Sequence, residues 1–436
     1  KLRNNSHWAM FSGHKAVLGE NYEDTFDITV KAEDFKFGIE RTLSEQTGSA
    51  DAPLFSAVKS ISTPDDFTIV FNLSYADDNF LYALTNPGAM PCDEEFFNLT
   101  NGKYGLDAKY LLCNGPFHVS KWTEKTSVKL AKNNEYNGES SVSPSSVTFY
   151  INNDDSEVAD KMNSVTYDVA FLSSSQFSSI ENKKDLNSVA VQNVTYSFIF
   201  NQNDNNYRNK NMRLAFCRSC DTSSLFDSQS DISKADGIVP PSCKIGGEDY
   251  RNGNAAELLS YDETLAKKNF NDALLELGSS SVETTILCTE QYEPFVKQMV
   301  QKLQKTLGVK FVSTVKVVSE SDLEAAVNDG NYSVAFYPFK AKSSFAGEII
   351  EGFDQNNIFG YESDVLSQKI RNIKNNSGSL EGERSAVADA ENYLVSEAVI
   401  MPVFYENSYF VTSKKTSGIY FYSSADNVCF INAKKS

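Results

Sequence analysis

Residues 283–339 read ETTILCTEQYEPFVKQMVQKLQKTLGVKFVSTVKVVSESDLEAAVNDGNYSVAFYPF, and the periodicity of this stretch decides the fold class. Glu283 to Cys288 predicts a short buried strand. Pro294 then opens a helix with Val296, Met299, Val300, Leu303 and Leu307 on one face, and Gly308 closes it. Val309, Phe311, Val315 and Val317 alternate through a second strand. Ser321 with Glu324 reads as a capping box for a helix carrying Leu323, Ala326 and Val327, and a third strand covers 332–337. Strand, helix, strand, helix, strand implies a parallel sheet with right-handed crossovers, and such sheets bind ligands outside the carboxyl ends of their strands. Phe339, Lys340 and Lys342 follow the third strand, so position alone nominates them as cleft lining. The alternative is that the lysines are solvated loop residues and Phe339 belongs to the core.

A chain of 436 residues is too long for one core and predicts two or three units. Its hydrophobic content of 41%, with 12% aromatics, is ample for packed interiors. A formal net charge of -18 excludes a nucleic-acid binder, because phosphate contacts need clustered Lys and Arg. No apolar run approaches the roughly 20 residues that cross a bilayer, and the first residues, KLRNNSHW, lack the apolar core of a signal peptide. Any export signal or lipid anchor is therefore expected to lie outside this chain. Elsewhere the pattern is mixed: 147–151, 167–172 and 196–201 are strand-like, Phe35, Ile39 and Leu43 mark an early helix, and a late helix covers 380–398.

The search for chemistry yields no catalytic constellation. Only three histidines exist, His7, His14 and His118, and there is no G-x-S-x-G elbow, H-E-x-x-H, phosphate loop or G-x-G-x-x-G. Cys217 and Cys220 have the C-x-x-C spacing, but NMRLAF already reads as helical before them, so they are two semi-buried thiols or one local disulfide. The acids of NNDDSEVAD (152–160) lack calcium-loop spacing, and Asp154 or Asp155 is expected to cap a short helix. Neither a metal nor a cofactor is implied.

Several stretches, in order, resemble the large extracytoplasmic solute-binding proteins of ABC transporters, the oligopeptide- and dipeptide-binding class of family 5. These are KLRNNSHW, ITVKAEDFKFGIERTL with Ala32, Asp34, Phe35 and Arg41, NGPFHVSKW with VKLAKNNEY, and the segment carrying Asn201, Arg213, Ala215 and Asp221. GIVPP, YDETLAKKNFNDALLELG, LQKTLGVKF, AVIMPVFYEN and DNVCFIN continue the series over nearly the whole chain. The chain departs from the family in three ways. It starts inside what the family has as its first lobe, and AMFSGHKAVLGENYEDTFD is inserted after Trp8. In the third, the family's aromatic, Ala-Asp-Tyr becomes Phe339, Ala341, Lys342 and Ser343. In peptide binders that Asp holds the free amine of the ligand, so Lys342 reverses the charge and disfavours an ammonium there.

The resemblance implies an α/β, two-lobed, periplasmic-binding-protein-like clamshell of the large class, with an extra subdomain in the first lobe. The expected lobes are 1–201 plus 407–436, lacking the family's opening strands, and 202–406, hinged at Asn201 and Tyr405. The expected ligand contacts are Tyr196, Tyr337, Phe339, Lys340, Lys342, Tyr405 and Asn114. The expected function is a monomeric bacterial extracytoplasmic receptor, cell-surface lipoprotein or periplasmic, that delivers a peptide-like or small polar solute to a permease. The other classes open to such a chain are a hydrolase or transferase on a modified scaffold, and a sensor or adhesin that has kept the fold.

Overall fold

The computed structural model describes residues 1–19, 25–49, 51–75, 80–138, 141–151, 155–222, 225–226, 231–340, 345–354, 357–376, 378–422 and 427–436. The chain divides into two compact, discontinuous units: Lys1–Asp168 with Ser413–Tyr420 and Val428–Ser436, and Val169–Thr412 with Phe421–Asn427.

The second unit is built on a six-stranded sheet. Its strands are β1 (Val194–Phe200), β2 (Ile232–Lys234), β3 (Val282–Cys288), β4 (Phe311–Val317), β5 (Val334–Lys340) and β6 (Ile400–Glu406). They lie in the order β4-β3-β5-β1-β6-β2. β3 pairs in parallel with both β4 and β5, as the strand-helix alternation predicts. The wholly parallel sheet does not extend further: β5 with β1, β1 with β6 and β6 with β2 are antiparallel. β1 and β6 are far away in sequence, so the 283–339 pattern carries no information about them.

Helices on the two faces include α1 (Lys210–Ser219), α2 (Glu263–Leu277), α3 (Glu293–Leu307), α4 (Glu320–Asn328), α5 (Asp364–Asn375) and α6 (Leu380–Ser396). Phe198, Phe200, Ile286, Phe336 and Phe404 bury against Met212 and Phe216 of α1, Phe270 of α2 and Val296, Met299 and Leu303 of α3. The alternate residues Ile199, Leu287, Ala335 and Ile400 pack on the other face with Leu323 and Val327 of α4, Ile370 of α5 and Leu394 of α6. β3 has β4 on one side and β5 on the other, so the crossovers through α3 and α4 leave in opposite directions and the strand order switches at β3.

Several local expectations shift. β4 begins at Phe311, and Val309, expected within it, is 96% exposed in the turn after Gly308. The cap of α4 is Ser319, whose hydroxyl accepts from the Asp322 N–H at 3.1 Å, and not Ser321. α6 ends at Ser396. Cys217 and Cys220 are both free and buried in the α1 packing, so the local disulfide is absent. The expected strands at 147–151, 167–172 and 196–201 form as Ser146–Tyr150, Val169–Ser173 and β1. Asp155 starts the short helix Asp155–Asn163, and Asp154 lies outside the described residues.

Two residues that carry the resemblance act structurally. Buried Arg213 donates to the carbonyls of Ala398 at 3.0 Å, Tyr207 at 2.7 Å and Glu397 at 3.1 Å, tying α1 to the start of β6. Asn201, just past β1, donates through Nδ2 to the carbonyls of Gly330 at 2.8 Å and Tyr332 at 2.7 Å. Both therefore satisfy backbone groups that burial would otherwise strand.

In the first unit the early helix forms over Ala32–Leu43, its amino end fixed by the Lys31 N–H donating to Asp34 Oδ2 at 2.8 Å. Ile39 packs with Phe55 and Phe80. The inserted segment forms a helix, Ser12–Leu18, whose Leu18 joins Trp8, Val30, Phe96 and Leu112 in a second small core. Phe117–Thr123, Ser127–Lys132 and Ser146–Tyr150 make an antiparallel three-stranded sheet.

Candidate functional site

The candidate site is the carboxyl-terminal edge of the parallel strands in the second unit. β5 does not leave the sheet at Phe336. It runs on through Tyr337, Pro338, Phe339 and Lys340, because β1 continues beside it with Tyr337 opposite Ser197 and Lys340 opposite Val194. β3 pairs β5 only at Val334 and Ala335. Pro338 therefore sits where one flank of β5 has lost its ladder, the situation in which a strand tolerates a proline.

Strand alternation sorts the expected residues onto opposite faces. Lys340 is exposed and shares the face of Phe336, Tyr196 and Glu406. Tyr337 and Phe339 point to the other face, where Phe339 stacks on Phe353 at 5.7 Å and lies 5.8 Å from Phe359. Phe339 is half-buried and packs against the core of that face. Tyr405 is buried, its hydroxyl accepting from the Asp236 N–H at 3.0 Å and donating to the Val239 carbonyl at 3.4 Å. Lys342, on which the charge argument rested, lies outside the described residues. Asn114 is half-buried in the loop before Phe117–Thr123 and belongs to the first unit. Asn201 and Tyr405 both lie inside the second unit, and Asn201 is at the opposite end of β1 from Val194.

On the Lys340 face the edge carries a group that the pattern reading passed over. The Tyr292 hydroxyl donates to Glu406 Oε1 at 2.6 Å, and the Gln291 amide donates to that hydroxyl at 3.1 Å. The Tyr196 ring lies 4.3 Å from Tyr292, 5.1 Å from Phe404 and 5.5 Å from Phe336, and Phe295 closes the aromatic wall at 5.2 Å from Phe404. Burial pushes the Glu406 carboxyl above the usual carboxylate range, and Glu320 and Asp231 add to the rise while the Tyr292 hydrogen bond and Lys340 oppose it. Burial likewise raises the Tyr196 and Tyr292 phenols, so both remain neutral donors near neutral pH. Tyr405 pairs with Thr195 and Lys340 with Val194, so Glu406 and Lys340 flank Val194. Two strand spacings separate them, about 10 Å between Cα atoms.

Glu406 and Tyr292 were discoverable. Each follows the carboxyl end of a strand, Tyr292 four residues after Cys288 and Glu406 as the last residue of β6. Position relative to a strand end was the signal, but QYEP read only as the approach to a helix. Among the described residues no group of three or more His, Cys, Asp or Glu could hold a metal ion. No helix among them is long and apolar enough to cross a membrane.

Comparison with known proteins agrees with this architecture. The dipeptide-binding protein DppE of Bacillus subtilis is 22% identical over 438 residues, covering 94% of this chain and 80% of that protein. A structure of Listeria monocytogenes OppA bound to peptide superposes with a TM-score of 0.77 at 21% identity, covering 100% of this chain and 86% of that one. Helicobacter pylori DppA in complex with the peptide STSA gives a TM-score of 0.78 at 18% identity, covering 100% and 85%. These likenesses establish the periplasmic-binding-protein fold. Residues 24–359 match the family described as bacterial extracellular solute-binding proteins, family 5 Middle, and the chain belongs to that family.

Proposed function

We propose that the chain is an extracytoplasmic receptor that captures a short peptide or peptide-like zwitterion and delivers it to the permease of an ABC transporter. The reading rests on family membership and on peptide binding by the named relatives. The observation that carries the ligand class is the pairing of Glu406, held by Tyr292 beside the Tyr196 ring, with Lys340 about two strands away. A carboxylate against neutral aromatic rings suits an ammonium, through charge and cation–π attraction. A lysine about 10 Å away suits a carboxylate. On this reading the amine is taken by Glu406 and not by the family's acid. Tyr337, Phe339 and Tyr405 lie on the opposite face of the sheet and support these strand ends from behind. The receptor works as a monomer, holds no cofactor, makes and breaks no bond, and is tethered as a lipoprotein or free in the periplasm.

The test is isothermal titration with a free dipeptide, its N-acetylated form and its C-amidated form. Each blocking is expected to weaken binding at least tenfold, the scale of a lost charge-assisted contact of about 1.4 kcal/mol. Glu406→Gln is expected to remove the penalty for acetylation and to keep the penalty for amidation. Equal affinity for free and acetylated peptide, or no dipeptide binding by the parent chain, overturns the reading.

A further inference from the structure

We propose that the first unit carries a contact surface for an anionic membrane, formed by the tip of its three-stranded sheet. The hairpin Phe117–Lys132 contains four lysines and one glutamate, a local charge of +3 in a chain whose net charge is -18. Lys121, Lys125 and Lys129 are exposed and make no ion pair or hydrogen bond through their ammonium groups among the described residues. Lys132 is committed to the Val142 carbonyl, to which it donates at 2.9 Å.

The same end of the sheet exposes its large apolar side chains. Trp122 is 44% exposed, Phe149 44%, Tyr150 58% and Ile151 50%. Register sorts the tip onto two faces, with Trp122 and Phe149 on one and Tyr150, Lys121 and Lys129 on the other. Trp122 pairs with Val128, and Val128 with Phe149, in a row across the sheet. Tyr150 pairs with Ser127, and the Ile151 N–H donates to the Thr126 carbonyl in the turn at 2.9 Å. Lys125 stands in that turn with a left-handed φ of 55°, which pins the tip. Tyr150 stacks on Tyr167 at 5.3 Å and Phe149 packs edge-on to Phe430 at 5.7 Å. On the helix that follows, Glu157 is paired with Lys161 at 3.8 Å.

A hairpin tip with an exposed Trp on one face, Tyr and lysines on the other and Lys125 in its turn has the composition that settles edge-on at a bilayer interface, with rings at headgroup depth and ammonium groups on lipid phosphates. Charge complementarity selects the partner: a net charge of -18 sets the molecule as a whole against an anionic leaflet, so a locally basic tip sets the approach. The contact is weak by itself and would orient a receptor that works next to a membrane.

Vesicle flotation tests this with the full chain, comparing phosphatidylglycerol-containing vesicles with phosphatidylcholine alone at low salt. The chain is expected to float only with the anionic vesicles. Each lysine is expected to contribute about fivefold, so the K121Q/K125Q/K129Q variant loses about a hundredfold in partitioning. Trp122→Ala independently loses at least fivefold, and both variants keep the circular dichroism and peptide affinity of the parent. No binding to anionic vesicles, or binding that neither variant changes, overturns the proposal. Association that requires a permease reconstituted in neutral lipid also overturns it, and assigns the tip to an acidic protein partner.

Discussion

His14 and Asp34 are two buried titratable side chains of the first unit with opposite demands on the solvent. His14 donates Nε2–H to the Leu111 carbonyl at 3.1 Å, and its Nδ1 is buried without a partner. Burial holds the ring pKa at about 4, against the opposing pull of the Leu111, Ala108 and Ala9 backbone groups. Unfolded His titrates near 6.5, so the unfolded chain binds the extra proton first and the His14 contribution to stability is lost as pH falls from about 6.5 to about 4. Burial raises Asp34 to about 6, above its unfolded value, so this carboxyl contributes stability as pH falls through about 6 toward 4. The two slopes nearly cancel. Asp34→Asn keeps an acceptor for the Lys31 N–H and removes one slope. The variant is expected to lose on the order of 3 kcal/mol more than the parent between about pH 6.5 and pH 4, measured by urea unfolding at each pH. Equal acid sensitivity in the two proteins would mean that Asp34 is ionised when buried. Neither residue's titration is legible in sequence, because the insertion that carries His14 has no burial pattern until Phe96 and Leu112 are folded around it.

At the scale of elements, periodicity located the helices and strands of 283–339 and missed their ends for one recurrent reason: an end is set by the neighbouring strand. β4 stops at Val317 because its partner β3 stops at Cys288, which puts Ser319, not Ser321, at the cap position of α4. Ser319 accepts from Asp322 N–H and donates to Asp322 Oδ2 at 2.8 Å. Ser319→Ala is expected to cost about 1 kcal/mol, and Ser321→Ala to stay within about 0.5 kcal/mol. For a unit of this size that is a drop of roughly 2–4 °C for Ser319→Ala alone, read by thermal denaturation. An equal loss at Ser321 would restore the capping box expected from the spacing. β5 teaches the same lesson at the site. Its continuation to Lys340 depends on β1, about 140 residues earlier, so the local pattern could place Lys340 at a strand end but could not say which face it shares with Glu406.

The whole molecule was legible as a family and less so as a partition. Many loose matches in order identified the fold, whereas the passage between units falls near Asp168 and Ser413 because Val169–Ser173 pairs with Ser408–Ser413, a long-range ladder that composition does not mark. Charge is the property of the whole chain that sequence states outright. With a net of -18 the folded molecule repels itself, and a charge excess of this kind destabilises the compact state. The exposed pairs, such as Lys267 with Glu263 and Lys268 with Asp272, are screened by solvent and do not offset it. Raising sodium chloride from about 0.01 M to about 0.15 M shortens the screening length from about 30 Å to about 8 Å, which removes most repulsion between distant carboxylates and little of the short-range pairing. The melting temperature is therefore expected to rise over that range. Attachment of the lysine-bearing tip to anionic vesicles is expected to weaken over the same range, since it depends on attraction across the same screened distance. The two responses have opposite signs from one cause, and a melting temperature that falls with salt would show that attractive pairing outweighs the excess of acid.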